Sequence, residues 1–319
     1  MAGIRIADVK SIQEAARIIR DGGLVSFPTE TVYGLGADAG NPLAVARIFE
    51  AKARPRIDPL IVHVADADSA RRYGNIPEIA QPLIEKFWPG PLTLVVEKTA
   101  LVPPIVTAGL ETVAIRMPSH PAALALIRTA GCGIAAPSAN PFGYVSPTTA
   151  QHVAEQLGDK ADMILDGGSC EVGVESTILS LADSPPRILR AGGVPIEELS
   201  ETLGSIRVSL EIPERPQVPG QLRRHYATRT RLEILDLEAE NIREGERTGL
   251  LALTPPEDPG KYAAVEVLSR SGSLREAAAN LFSALRRLDA RSLDRIIARP
   301  VPERDLGIAI MDRLRRCSA

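Results

Sequence analysis

Short apolar runs alternate with helix-spaced patterns over the first 206 residues, stop at a proline-rich stretch, and then resume to the end of the chain. That alternation restricts the fold to α/β units, in which helices cover a sheet. The interruption, Glu211-Ile212-Pro213-Glu214-Arg215-Pro216-Gln217-Val218-Pro219-Gly220, contains three prolines and no period. It reads as an extended linker. Six arginines oppose two glutamates between Arg207 and Arg231, so the linker is basic. The expected organisation is a first domain over 1–206, a linker over 207–230 and a smaller α/β domain over 231–319.

In the first domain, Leu24–Phe27, Leu60–Val64, Leu92–Val96, Thr112–Met117, Gly133–Ala136, Met163–Leu165, Thr177–Leu181 and Arg187–Leu189 read as strands. Helical spacing runs through Ile12–Ile19, Pro42–Glu50, Ile79–Phe87, Pro121–Thr129, Thr148–Leu157 and Pro195–Leu203. Asn41 reads as an N-cap, with Pro42 in the first turn. Beyond the linker, strands are expected at Leu232–Leu235, Gly249–Leu253, Ala263–Val267 and Arg295–Ala298. Helices are expected at Leu274–Leu288 and Leu306–Arg315. Aromatic residues are only 3% of the chain, so its cores must be aliphatic.

Net charge is −3, which argues against bulk nucleic-acid binding. Three scattered cysteines give no disulfide or zinc spacing and suit a reducing cytoplasm. The four histidines show no HxxxH or HxH spacing, so no metal centre built from protein side chains is expected. No apolar run approaches the roughly 18 residues of a membrane span, so no membrane partner is expected.

Several polar clusters carry chemistry. In Lys52-Ala53-Arg54-Pro55, the proline disfavours helix at Arg54. An extended segment would then point both cations the same way, toward neighbouring phosphates. The plainer alternative is a solvated helix end. Ser138 and Asn140 lie between Pro137 and Pro141, directly after an apolar strand, where α/β folds bind ligands; turn chemistry explains them equally well. Thr29, Thr31 and Tyr33 offer hydroxyls after the strand ending at Phe27. Gly34, Gly36 and Gly40 have the wrong spacing for a dinucleotide fingerprint, and no Walker-type phosphate loop is present. His63 shares a strand face with Ile61 and is either structural or functional. Arg116 alternates with apolar neighbours and needs a partner if buried, a substrate carboxylate being one candidate. Glu175-Ser176-Thr177 precedes a strand, and Arg190 ends one before Gly192-Gly193. Arg224, His225 and Tyr226 end the linker; they could close over an anion or RNA, or belong to a solvated tether.

Taken in order, these segments resemble the threonylcarbamoyl-AMP synthase family in its longer, two-domain form. The resemblance runs through Phe27–Asp38, Lys52–Val64, Trp88–Leu94, Ala114–Pro118, Ala136–Ser146, Asp166–Ile178 and Leu189–Gly193. It continues in the linker and in Ile308–Leu314. It implies a YrdC-like twisted mixed sheet flanked by helices, joined by an extended linker to a Rossmann-like α/β domain. It also implies the joining of L-threonine, bicarbonate and ATP, with Mg²⁺ accompanying ATP and pyrophosphate released. Other proteins then transfer the group to a tRNA adenosine beside the anticodon, so downstream transferase proteins are implied partners; direct tRNA binding is not required.

By the same resemblance, Lys52 and Arg54 are the triphosphate clamp. Ser138, Asn140, Arg190, His225 and Tyr226 are nucleotide contacts. Thr31, His63, Arg116 and Ser176 are the threonine pocket, and Arg224, His225 and Tyr226 the lid. Two departures stand out. Thr228 replaces the proline that commonly ends His-Tyr-Ala-Pro, which would loosen the lid. Asp58 stands where such proteins often carry Asn and is expected to point outward. The rival readings are an RNA-binding module, a nucleotide-binding regulator without turnover, and carbamoyl transfer from carbamoyl phosphate. The last is disfavoured by the lack of zinc-finger cysteines.

Overall fold

The computed structural model describes residues 3–222, 225–243 and 245–319. Among the described residues the first sheet has eleven strands. They are β1 (Ile4–Ile6), β2 (Val25–Phe27), β3 (Gly34–Asp38), β4 (Ile61–His63), β5 (Leu92–Glu97), β6 (Thr112–Arg116), β7 (Ile134–Ala136), β8 (Met163–Asp166), β9 (Thr177–Ser180), β10 (Arg187–Arg190) and β11 (Arg207–Val208). Their order across the sheet is β1-β8-β2-β3-β7-β4-β6-β5-β9-β10-β11. Pairing is mixed: β4 runs parallel to β6 and antiparallel to β7.

The helices of this part are α1 (Val9–Arg20), α2 (Pro42–Lys52), α3 (Ala67–Arg71), α4 (Gln81–Phe87), α5 (Pro121–Ala130), α6 (Ala150–Leu157) and α7 (Ile196–Leu203). Asn41 caps α2 as expected, its side chain accepting from the amides of Leu43 and Ala44. Strand alternation splits the apolar residues between the two faces. Leu24, Val62 and Ala135 join the core under α2, α4 and α6. Val25, Phe27, Ile134 and Ala136 face α1 and α5 instead. Farther along that second face, Ile61, Val95, Ala114, Ile178 and Leu189 are covered by Val218 of the linker. The linker therefore serves as a layer of the fold over a face that the helices leave open. It begins by adding β11 in parallel to β10, and Pro216, Val218, Pro219 and Gly220 are buried; a solvated tether is ruled out for this stretch.

β3 was not expected, because its Gly-Leu-Gly start lacks strand formers. Gly36 is there because of crowding: a Cβ would sit 2.5 Å from the Ile134 side chain and 2.7 Å from Phe27. Edge strands β1 and β11 and the short helix α3 were also not anticipated.

The second sheet contains β12 (Arg231–Ile234), β13 (Thr248–Ala252), β14 (Ala264–Val267) and β15 (Arg295–Ala298), all parallel, in the order β12-β15-β13-β14. Helices α8 (Leu274–Asp289) and α9 (Leu306–Cys317) accompany it. Their apolar faces do not close on this sheet alone. Phe282, Leu285 and Ile310 share one core with Val32, Val145, Val174 and Tyr226, so the two sheets are welded through a common apolar layer.

That layer leaves no room at Gly173. Its φ is +75°, and a Cβ would lie 2.4 Å from both the Ala278 carbonyl oxygen and Ala279 Cα. Gly173→Ala should destabilise the protein by about 3 kcal/mol, from left-handed strain together with overpacking. A fall in the urea midpoint by equilibrium unfolding checks this.

Candidate functional site

A cavity of about 510 Å³, counting its open mouth, is lined by several charged and hydroxyl-bearing side chains. It lies on the sheet face that the linker covers. Thr29, Thr31 and Val32 approach it from the segment between β2 and β3. Ile61 and His63 come from β4, and Arg116 from the end of β6, its register neighbour. Pro137 and Ser138 follow β7, Glu175 and Ser176 precede β9, and Arg190 ends β10. Pro219, Gly220, His225 and Tyr226 of the linker form the roof. The structure thus brings together Arg54, Ser138, Arg190, His225, Tyr226, Thr31, His63, Arg116 and Ser176 from distant parts of the sequence. Arg224 lies outside the described residues.

Lys52 and Asn140 stand behind this wall. Helix α2 continues through Lys52, and Ala53 reverses the chain in the left-handed region at φ 51°. The expected extended segment, with both cations projecting the same way, is therefore incorrect; a helix C-cap places them. Lys52 Nζ donates to the Ser138 carbonyl at 2.6 Å and also to that of Asn140. The Lys52 carbonyl accepts from the Phe142 amide at 2.8 Å. Lys52 thus fixes the loop after β7 from inside. It is only 1% exposed. Burial, then the neighbouring Arg54, push its pKa well below the ordinary lysine value. Asn140 Nδ2 donates to the Tyr144 carbonyl at 2.8 Å, while its Oδ1 has no protein partner.

Arg54 donates to the carbonyls of Asp58 and Pro59, and its guanidinium lies 2.9 Å from the Asp58 carboxylate. Asp58 is fully buried, which overturns its expected outward orientation. Buried cations need nearby negative charge, and Asp58 supplies it. Burial nevertheless raises its pKa against the pull of Arg54 and Lys52.

Arg116 repeats the arrangement with Glu30, at 2.6 Å. It also donates to the Thr31 hydroxyl at 2.9 Å and to the Gly90 carbonyl at 3.2 Å. The Thr31 hydroxyl lies 2.9 Å from that of Thr29, which donates to the Val32 carbonyl. In both ion pairs the charges touch, yet Asp58 Oδ2, Glu30 Oε1 and Arg116 Nη2 lie off the hydrogen-bond line. The contact distances establish the pairing, and the angles leave capacity for a further polar partner. His63 Nδ1 and His225 Nδ1 likewise have no protein hydrogen bond. Buried polar groups rarely go unsatisfied, and His63 and His225 bring two such nitrogens to the lining of one cavity.

Arg190 donates to the Ser176 carbonyl and hydroxyl and, at 2.9 Å, to the Pro219 carbonyl of the linker. Burial, its largest influence, lowers its pKa to about 10. The Ser176 hydroxyl also lies 2.7 Å from that of Thr93. At the roof, Tyr226 adopts φ 63°, and Gly220 sits at φ +87°, a left-handed conformation that favours glycine. At Thr228, where the family commonly has proline, the hydroxyl donates to the Thr230 carbonyl at 2.6 Å.

Sequence reasoning missed that Glu30, Asp58 and Glu175 are the buried partners of arginines around this cavity. The available signal was electrostatic: Lys52, Arg54, Arg116 and Arg190, once placed inside a fold, require acidic partners nearby.

Comparison with known proteins gives a consistent answer. Residues 17–192 match the Sua5/YciO/YrdC family model, described as telomere recombination. Residues 194–319 match the model described as threonylcarbamoyl-AMP synthase, C-terminal domain. The threonylcarbamoyl-AMP synthase of Pyrococcus abyssi is 45% identical over 96% of this chain and 94% of its own length. The chain belongs to the threonylcarbamoyl-AMP synthase family. The Bacillus subtilis threonylcarbamoyl-AMP synthase is 46% identical over 96% of this chain and 92% of its own. The crystal structure of P. abyssi Sua5 complexed with L-threonine superposes with a TM-score of 0.92 at 43% identity, covering 98% of this chain and 95% of that one. This family's mixed sheet and smaller parallel sheet are both present here.

Burial, before any neighbour, depresses His63 and His225 to about 3 from the ordinary 6.5. The unfolded chain therefore takes up protons below pH 6.5 that the native site refuses until about pH 3, so acidification favours unfolding across that window. Asp58, with its raised pKa, acts in the opposite sense. Between pH 7 and pH 5 each histidine should remove about 2 kcal/mol of stability. Urea midpoints at the two pH values, for the protein and for His63→Gln and His225→Gln, check it; the variants should show the shallower loss.

Proposed function

We propose that this chain is an L-threonylcarbamoyladenylate synthase. It would join L-threonine, bicarbonate and ATP with release of pyrophosphate, the first step in threonylcarbamoyl modification of a tRNA adenosine next to the anticodon. The observation that carries this reading is the convergence of Arg54, Arg116 and Arg190 with threonine, serine and histidine side chains beneath a linker roof, in a chain of this family.

In this reading the threonine amine and bicarbonate form a carbamate and water. A carbamate oxygen then attacks the α-phosphorus of ATP, the bond to the β-phosphate oxygen breaks, and pyrophosphate leaves. No side-chain nucleophile is needed, so catalysis rests on positioning and on stabilising charge. Thr31, His63, Arg116 and Ser176 would hold threonine. The cation at Arg116 suits a carboxylate and keeps its donors ordered by Thr31 and Gly90. Arg54, Ser138 and Arg190 would contact the nucleotide. Lys52 and Asn140 would hold the Ser138 loop in place, with Lys52 adding charge when a polyphosphate arrives to offset it. His225 and Tyr226 would close the roof and exclude water from the labile mixed anhydride.

Among the described residues no three His, Cys, Asp or Glu side chains gather as a metal cage, and Asp58 and Glu30 face arginines. In this reading Mg²⁺ would arrive on ATP's own phosphates, where it would offset charge. The product would pass to tRNA threonylcarbamoyl transferase proteins, with direct tRNA binding not required. A cytoplasmic location fits this role. No helix among the described residues is long and apolar enough to cross a membrane.

Threonine-dependent pyrophosphate release from ATP and bicarbonate is the test. Lys52→Ala should lower the rate by about 10²–10³-fold, because it removes a buried charge and unties the Ser138 loop that positions the nucleotide. Arg54→Ala should do the same. It must be measured beside Arg54→Ala/Asp58→Ala, because the single change strands a buried carboxylate at a cost of about 3–5 kcal/mol. Full activity in folded Lys52 and Arg54 variants would remove these residues from the site. No release by the unaltered protein would favour a nucleotide-binding regulator.

A further inference from the structure

The last helix, α9, reaches the cavity from behind through one side chain. Arg313 is completely buried. Its Nε donates to Glu175 Oε2 at 2.9 Å, its Nη2 to the Ala191 carbonyl at 2.9 Å, and its Nη1 to Asp312 Oδ2 at 2.6 Å. Its guanidinium also lies 5.2 Å from the centroid of the Tyr226 ring. Each of these contacts but Asp312 belongs to the first domain or the linker. Glu175 and Tyr226 both line the cavity.

Glu175 is held at both oxygens, because Oε1 accepts from the Ser146 hydroxyl at 2.6 Å. Tyr226 is packed in turn against Phe282 of α8, with ring centroids 5.5 Å apart. The same helix end holds the linker backbone on both sides of residues 223–224. Arg316 Nη1 donates to the carbonyls of Gln221 and Leu222, and the His225 amide donates to the Arg316 carbonyl. Arg316 is itself oriented by Asp312 at 3.0 Å.

A buried ion pair is a poor device for stability alone, since desolvating both charges cancels much of their attraction. The shared apolar core already joins the domains. We propose that Arg313 is a positioning residue of the catalytic cavity, by which the C-terminal domain fixes the Glu175 carboxylate in the wall and the Tyr226 ring in the roof. The proposal rests on the synthase reading for its activity readout.

The charges around Glu175 come from several elements. Arg313 faces it from α9 and Arg190 from β10. His225 and Tyr226 of the linker sense it as well, and Asp312 acts on Tyr226 and Arg313. Burial works against Glu175's charge, but Arg313 leads the group that holds its pKa below the ordinary carboxylate value. Without Arg313 the carboxyl should rise, so that the wall changes charge within an accessible pH range.

The experiment uses the full chain with Arg313→Met, Arg313→Lys, Glu175→Gln and the double Arg313→Met/Glu175→Gln. Two quantities are read from pH 6 to 9: kcat/KM for threonine-dependent pyrophosphate release, and ATP affinity by calorimetry. Arg313→Met should lower kcat/KM at least tenfold and introduce a pH step that the parent lacks. The double variant should lose that step, and Arg313→Lys should recover part of the activity. Matching parental pH profiles in both readouts for Arg313→Met, with only its melting temperature lowered, would overturn the proposal and leave a structural tie. If Arg313→Met does not fold, the profile of Arg313→Lys decides by the same criteria. If the unaltered protein releases no pyrophosphate, the synthase reading fails, and the pH dependence of ATP affinity still decides the role of Arg313.

Discussion

Arg54 with Asp58, Arg116 with Glu30, and Arg313 with Glu175 are buried arginine–carboxylate pairs set around one cavity. Placing an arginine inside a protein is tolerable only where opposite charge and hydrogen-bond acceptors are already there. That requirement explains much of the surrounding architecture. The chain reverses after α2 so that Arg54 meets Asp58 and two carbonyls. The segment after β2 turns back so that Glu30 and Thr31 reach Arg116. The second domain docks so that Arg313 meets Glu175. The charged groups around the cavity are thereby held in fixed positions by their own partners.

The linker has a larger structural part than its composition suggests. A chain rich in proline and charge usually spans solvent. Here Val218 completes an apolar cluster on the sheet, and the Pro219 carbonyl accepts from Arg190. The proline-rich composition still fits, because prolines stiffen an extended path and do not compete for the helix or strand positions beneath it.

Much of the fold was legible because apolar periodicity is a local property. Strands such as β5 and helices such as α8 carry their patterns in consecutive residues. The strands that escaped were glycine-rich β3 and the edge strands β1 and β11, where partners, not composition, make the strand. At the cavity, cations such as Arg54 and Arg116 were readable from chemistry and resemblance. Their partners were not, because Glu30, Asp58 and Arg313 acquire meaning only through tertiary proximity. Asp58 is the clearest case: next to two cations in sequence it looked repulsive to phosphate, and in space it is the counter-ion that lets Arg54 be buried. Lys52 likewise braces the loop after β7 from inside, a contact that no local pattern encodes.

The roof over the cavity is a strap fastened at both ends. One end is stitched to the sheet where β11 pairs with β10, and the other is gripped by α9. A surface loop of similar length accepts extra residues at small entropic cost. A strap does not: added length would slacken the roof, and lost length would lift it from its anchors. The span between these two fastenings therefore sets the length of the roof, and its middle is pinned as well, by Val218 in the sheet's apolar cluster and by the Pro219 carbonyl on Arg190.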